Sequence, residues 1–81
     1  ALRDKGDVDG AIAAYRGAVR LDPKFASAHH NLGTVLCDVK RDYDGAAACF
    51  REVIRLDPKY APAHHNLGVA LWGRGDVDGA V

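Results

Sequence analysis

Apolar positions recur along this chain at the spacing of one face of an α-helix. Ala11, Ala14, Tyr15 and Ala18 fall at i, i+3, i+4 and i+7, and Ala46, Cys49, Phe50 and Val53 repeat the same set. A second stripe runs through His29, Leu32, Gly33 and Leu36 and returns as His64, Leu67, Gly68 and Leu71. No run of alternating β-branched residues competes for a strand, so the pattern predicts an all-α chain. The punctuation agrees. Asp7, Asp42 and Asp76 are placed as N-caps, where a carboxylate accepts from the orphan amides of a first turn. Asp22-Pro23 and Asp57-Pro58 mark helix ends, because the residue before proline is pushed out of the helical region. Pro62 suits a first turn, where a missing amide proton costs nothing.

The stripes belong to a repeat. RLDPKFASAHHNLG at residues 20–33 returns at 55–68 as RLDPKYAPAHHNLG, with 12 of 14 positions unchanged. GDVDGA at 6–11 recurs at 75–80, and a variant, RDYDGA, occupies 41–46. Asp7 to Asp42 spans 35 residues and Asp42 to Asp76 spans 34, while His29 to His64 spans 35. The extra residue therefore falls between Gly33 and Asp42, most simply in Val39, Lys40 and Arg41. A period of this length decides the architecture before any single residue does. The units read as a partial repeat over 1–25, a complete repeat with one inserted residue over 26–60, and a partial repeat over 61–81. With no methionine and Ala1 in first place, the sequence reads as a piece of a longer array. On that reading residues 1–5 are the tail of one helix and 77–81 the start of another.

His29, Leu32, Gly33 and Leu36, followed by Ala46, Phe50 and Pro58, resemble the tetratricopeptide repeat (TPR) in order and spacing. Ala11, Tyr15 and Pro23 before them, and His64, Leu67, Gly68, Leu71 and Ala80 after them, extend the resemblance over the whole chain. It implies antiparallel helix-turn-helix units stacked as a right-handed solenoid. Two departures stand out. Histidine replaces the bulky aromatic that opens the family's unit, and Gly10, Gly45 and Gly79 stand where glutamate is common, which removes the Glu half of a capping box. In such a repeat one hairpin cannot bury its apolar face alone. Gly33 and Ala46 are expected to let two helices approach, with Tyr15, Leu32, Phe50 and Leu67 filling the space between. Because both ends are raw and roughly three repeats are needed for stability, the chain is expected to be marginal or to associate end to end.

The doubled histidines divide between two expected roles. Adjacent residues on a helix point about 100° apart, so His29 and His30 cannot chelate one metal ion together; i, i+4 spacing is needed. His29 and His64 share the Leu-Gly stripe and are expected to pack in the core, each with one nitrogen satisfied by a neighbour. The family resemblance places the next position, and those one, four, seven and eight residues on, along the concave groove that holds extended peptides. The groove candidates are thus His30, Asn31, Thr34, Cys37 and Asp38 in one unit and His65, Asn66, Val69, Trp72 and Gly73 in the next. An asparagine offers a donor and an acceptor suited to a peptide backbone, and a wet tryptophan favours a partner. The alternative is a solvated face, with Trp72 packed on a neighbouring unit. Titration of His30 and His65 would make binding pH-sensitive. The family's acidic-tail clamp of Lys, Asn and Arg is not matched, because Pro62 and Asn66 stand where its last cations would be.

Composition narrows the remaining classes. Eleven cations and eleven anions are scattered along 81 residues, so no basic patch points to nucleic acid or an anionic membrane. No apolar run approaches the roughly 20 residues of a membrane span, and residues 1–15 lack the order of a signal peptide. Cys37 and Cys49 have neither CxxC spacing nor a disulfide pattern, which favours a reducing, cytoplasmic setting. The DxD pairs Asp7/Asp9, Asp42/Asp44 and Asp76/Asp78 lack the further oxygens of an EF-hand, and the Gly-rich segments lack a Gly-Lys-Ser phosphate loop. No nucleophile has an activating neighbour, so no catalytic residue, metal or cofactor is expected. Two functions remain: a docking module for a protein or peptide, or a stacking segment that assembles or spaces other domains.

Overall fold

The computed structural model describes the backbone of residues 5–77 and the side chains of residues 8–75. Four helices follow one another with no strand among the described residues: α1 (Lys5–Leu21), α2 (Ala26–Asp38), α3 (Tyr43–Leu56) and α4 (Ala61–Val77). Each packs on the next, most extensively α2 on α3 and α3 on α4, and α2 also reaches α4. The architecture is all-α helix-turn-helix stacking.

Two of the connections are copies of one device. After α1, Phe25 N–H donates to Asp22 O at 2.9 Å, and after α3, Tyr60 N–H donates to Asp57 O at 3.0 Å. The proline inside each turn ends the preceding helix, and Pro62 lies in the first turn of α4. The first histidine of each pair closes the device. His29 Nε2 donates to Pro23 O at 2.9 Å and His64 Nε2 to Pro58 O at 2.8 Å, so each staples the start of its helix to the turn before it.

The third connection is different. Asp42 caps α3 through Oδ1, which accepts from Gly45 N–H at 3.0 Å, and a Cβ on Gly45 would lie 2.5 Å from the other carboxylate oxygen, Oδ2. Glycine rather than glutamate therefore lets the carboxylate fold close over the first turn. Just before the cap, Arg41 takes a φ of 57°, the left-handed region that costs a residue with a Cβ about 1 kcal/mol or more. The reversal is reached here by backbone strain instead of by proline.

No such reversal occurs at the other two aspartates. Helix α1 is continuous from Lys5, the first residue described, through Asp7, and α4 runs through Gly73, Gly75 and Asp76 to Val77. The expected caps at Asp7 and Asp76, and the helix boundaries drawn from them, are thus corrected, although the side chains of both lie outside the described residues. Asp42 differs because α3 folds back and packs along α2. A local capping signal alone does not stop a helix whose hydrogen bonds can propagate.

The core lies between α2 and α3 and extends to α1 and α4. Leu32, Leu36, Ala46, Ala47, Phe50 and Ala70 form one buried cluster with Ile12, with Tyr15, Tyr43 and Leu67 packed against it. Phe50 is 1% exposed, and its burial alone contributes about 2 kcal/mol. It fits because Gly33 has no side chain: a Cβ there would stand 2.8 Å from Phe50 Cε1 and 3.0 Å from Cys49 Cβ. Exposed ion pairs mark the same register twice. Lys40 meets Asp9 at 3.0 Å and Arg74 meets Asp44 at 3.2 Å, each joining the end of one helix to the first turns of the helix before it.

Candidate functional site

The two members of each histidine pair face different surroundings at equal burial, His29 and His30 both half-buried and His64 and His65 both exposed, so the core placement expected of His29 and His64 is corrected. His30, expected in the groove, is half-buried, with its ring 6.0 Å from that of Phe50 and edge-on to Tyr60 at 5.6 Å. Its Nδ1 is buried without a hydrogen-bond partner. His29, expected in the core, is half-buried and His64 is exposed. The expected satisfaction of one nitrogen is present in both, supplied by the proline carbonyls. Because α2 turns about 100° per residue, the difference between facing Phe50 and facing Pro23 is a single step along the chain.

The structure gathers part of the candidate set into one open hollow. It is lined by Cys37 and Asp38 from the end of α2, Arg41 from the strained turn, Tyr43 from the start of α3, and Val69, Trp72 and Gly73 from α4. Gly73 allows it to form, since a Cβ there would lie 2.7 Å from Tyr43 Cε1. Tyr43 can therefore lie against α4 and floor the hollow. Trp72 stands over it 74% exposed, and Val69 is 43% exposed. Along α4 a second shallow hollow holds His64, His65, Gly68, Val69 and Trp72. Trp72 and Val69 thus belong to both, and the indole is the centre of the surface.

The other candidates lie elsewhere. Asn31 is exposed on α2, Asn66 is half-buried on α4, and neither lines these hollows. Thr34 spends its hydroxyl on its own helix, Oγ1 donating to His30 O at 3.0 Å. Arg41 and Tyr43 were not singled out from the sequence. The inserted residue pointed to an unusual turn at Val39–Arg41, but nothing in the pattern paired Tyr43 with Gly73.

The site holds little chemical reactivity. Both cysteines are free. Burial, and then the negative charge of Asp38, pushes the Cys37 thiol above its ordinary value. Burial also raises that of Cys49, with Asp42 adding to the rise and Arg16 opposing it. Both are held as thiols, the less nucleophilic form. Among the described residues no group of three or more His, Cys, Asp or Glu side chains converges to hold a metal ion. No described helix is long and apolar enough to cross a membrane.

Comparison with known proteins places this geometry. A family model described as TPR repeat matches residues 1–38 and again residues 40–80, leaving only Val39 between the two matches. No curated protein matches the chain. The family is a non-catalytic repeat fold whose members are generally protein-interaction modules. With a match over nearly its entire length and helical hairpins that stack through Gly33, Ala46 and Phe50, the chain belongs to the tetratricopeptide repeat family.

Proposed function

We propose that this chain is a docking module that holds a segment of a partner protein across the hollow between α2 and α4, with Trp72 as its anchor. The observation that carries the reading is the exposure of that indole. A tryptophan that is 74% exposed and rises beside Val69 over a hollow floored by Tyr43 leaves a large apolar area in water. Such area is recovered when a partner side chain enters.

Around the anchor the chemistry is mixed. Asp38 and Arg41 place one charge of each sign at the rim, so a partner presenting an apolar side chain flanked by polar groups fits better than a uniformly charged one. His65 extends the surface along α4 beside Trp72, while Asn31 and Asn66 stand outside both hollows.

Selection from a displayed peptide library, followed by titration of a synthesised winner against the wild-type chain and against Trp72→Ala and Asp38→Ala, tests the reading. Loss of at least about tenfold in affinity on Trp72→Ala, the size of a modest interface hot spot, is expected. Undiminished binding by both variants would overturn it. His30→Ala is a poor probe, because it removes packing against two rings as well as any ligand contact.

A further inference from the structure

GDVDGA occurs at 6–11 and 75–80, and its variant RDYDGA at 41–46 differs from it at two positions. Both differences line the hollow. Arg41 stands in the place of Gly6 and Gly75, and Tyr43 in the place of Val8 and Val77. Tyr43 supplies the floor, lodged where a Cβ on Gly73 would be. Arg41 is the costlier change, because its φ of 57° lies in the left-handed region, where glycine is the default and arginine is strained. Gly6 and Gly75, by contrast, lie inside helices. Backbone energetics alone would assign these residues the other way round.

Backbone strain of this kind clusters at binding sites, and the surroundings of Arg41 show what its side chain has to offer there. The cations on either side of it are engaged: Lys40 with Asp9 and Arg74 with Asp44. Among the described residues Arg41 forms no ion pair, and neither does Asp38, which lines the same hollow. Arg41 is itself exposed. An uncommitted guanidinium and an exposed indole thus share one hollow, which lies at the turn between α2 and α3 in the interior of the chain.

We propose that Arg41 is the specificity-determining residue of this hollow: its guanidinium takes one carboxylate of the bound segment, an Asp or Glu side chain next to the apolar side chain that meets Trp72. The proposal rests on the docking reading above and names the chemistry of the partner. Arginine suits the task because its rigid fork meets a carboxylate through two parallel hydrogen bonds. Asp38 sets the limit. Its carboxylate lies on the same hollow and repels a second acid, so the partner carries a single acidic side chain beside the anchor and not an acidic run. The strained turn is then the means by which a charge is brought to a site that the other two copies of the motif, with glycine in this place, do not build.

A double-mutant cycle tests the proposal. The strongest binder selected from a displayed library of short peptides on the wild-type chain is synthesised with its acid and with the matching amide, Gln or Asn. Each peptide is titrated against the wild type, Arg41→Asn and Trp72→Ala. Asparagine tolerates the left-handed region, so Arg41→Asn removes the charge and keeps the turn; circular dichroism checks that it is folded. The binder is expected to carry Asp or Glu beside its apolar anchor. Removing either the acid or the guanidinium should lower affinity roughly three- to tenfold, a modest loss because the pair lies at an exposed rim. Removing both should lower it no further, since one interaction is then deleted twice. A binder without an acid, losses that add, or Arg41→Asn binding as tightly as wild type while Trp72→Ala does not, would overturn the role of Arg41 and leave the docking site standing. Undiminished binding by Trp72→Ala, or a library that yields no binder, would remove the anchor and overturn this role with it.

Discussion

Gly33 and Gly68 offer a paired experiment in which one sequence context is tested in two packing environments. Both lie inside helices within the segment HHNLG, so alanine at either position gains about 1 kcal/mol of helix propensity. At Gly68 the new methyl enters open space, and that gain should appear whole, as a stabilisation of about 1 kcal/mol. At Gly33 it stands 2.8 Å from Phe50 Cε1 and 3.0 Å from Cys49 Cβ. Those atoms are closer than van der Waals contact allows, and Phe50, 1% exposed, has nowhere to withdraw. Overpacking of this kind costs about 1–3 kcal/mol. The net result at Gly33 is therefore a loss of up to about 2 kcal/mol, and the two variants should differ by about 1–3 kcal/mol. Urea unfolding followed by circular dichroism measures this directly. It is run at low micromolar concentration and repeated at a second dilution, because self-association would stabilise the wild type by mass action. If both alanines raise the midpoint by the same amount, α3 does not cover Gly33 as described, and the account of the hairpin is wrong.

Other predictions follow from single contacts. Phe50→Ala removes the most deeply buried ring and should cost about 3–5 kcal/mol, leaving the chain largely unfolded in a thermal melt. His30→Phe keeps the packing on Phe50 and Tyr60 while deleting a buried nitrogen with no partner, and should raise the urea midpoint by about 1 kcal/mol of stability; a fall would show that Nδ1 has a partner in solution. Arg41→Gly should relieve the left-handed backbone and stabilise by up to about 1 kcal/mol. Glu52 is held below the ordinary glutamate range, chiefly by its hydrogen bond from Arg55. A depressed folded pKa adds stability that is present above the unfolded value and is lost as pH falls through the folded one. Glu52→Gln should accordingly lower stability slightly at neutral pH and leave it unchanged at low pH, so that the acid limb of the profile flattens, by a small amount because the pair is exposed.

The repeat was legible because its devices are local. A proline after aspartate stops a helix whatever packs on it, so the ends of α1 and α3 follow from Asp22-Pro23 and Asp57-Pro58. Asp42 behaves as a cap for the same reason. The failures share a cause. Asp7 and Asp76 carry the same local signal as Asp42, yet both lie inside helices, because a capping residue alone does not interrupt a helix whose hydrogen bonds can propagate past it. His29 was expected in the core but bonds to the Pro23 carbonyl, because the phase of an apolar stripe does not distinguish two identical adjacent residues that are equally half-buried. The hollow was legible in part. The family resemblance put Asp38 and Trp72 among the groove candidates, whereas the lodging of Tyr43 against Gly73 joins residues 30 apart and follows from no pattern in either stretch.

Trp72 is the only tryptophan in the chain, so its fluorescence reports the proposed anchor without labelling. Titration of a library-selected peptide into the wild-type chain, read by indole emission in parallel with calorimetry, tests the docking site most directly. The free chain should emit as a water-exposed indole and shift to the blue with the same saturation curve that calorimetry gives. Calorimetric binding with no change in Trp72 emission would place the partner elsewhere and contradict the assignment of the hollow between α2 and α4.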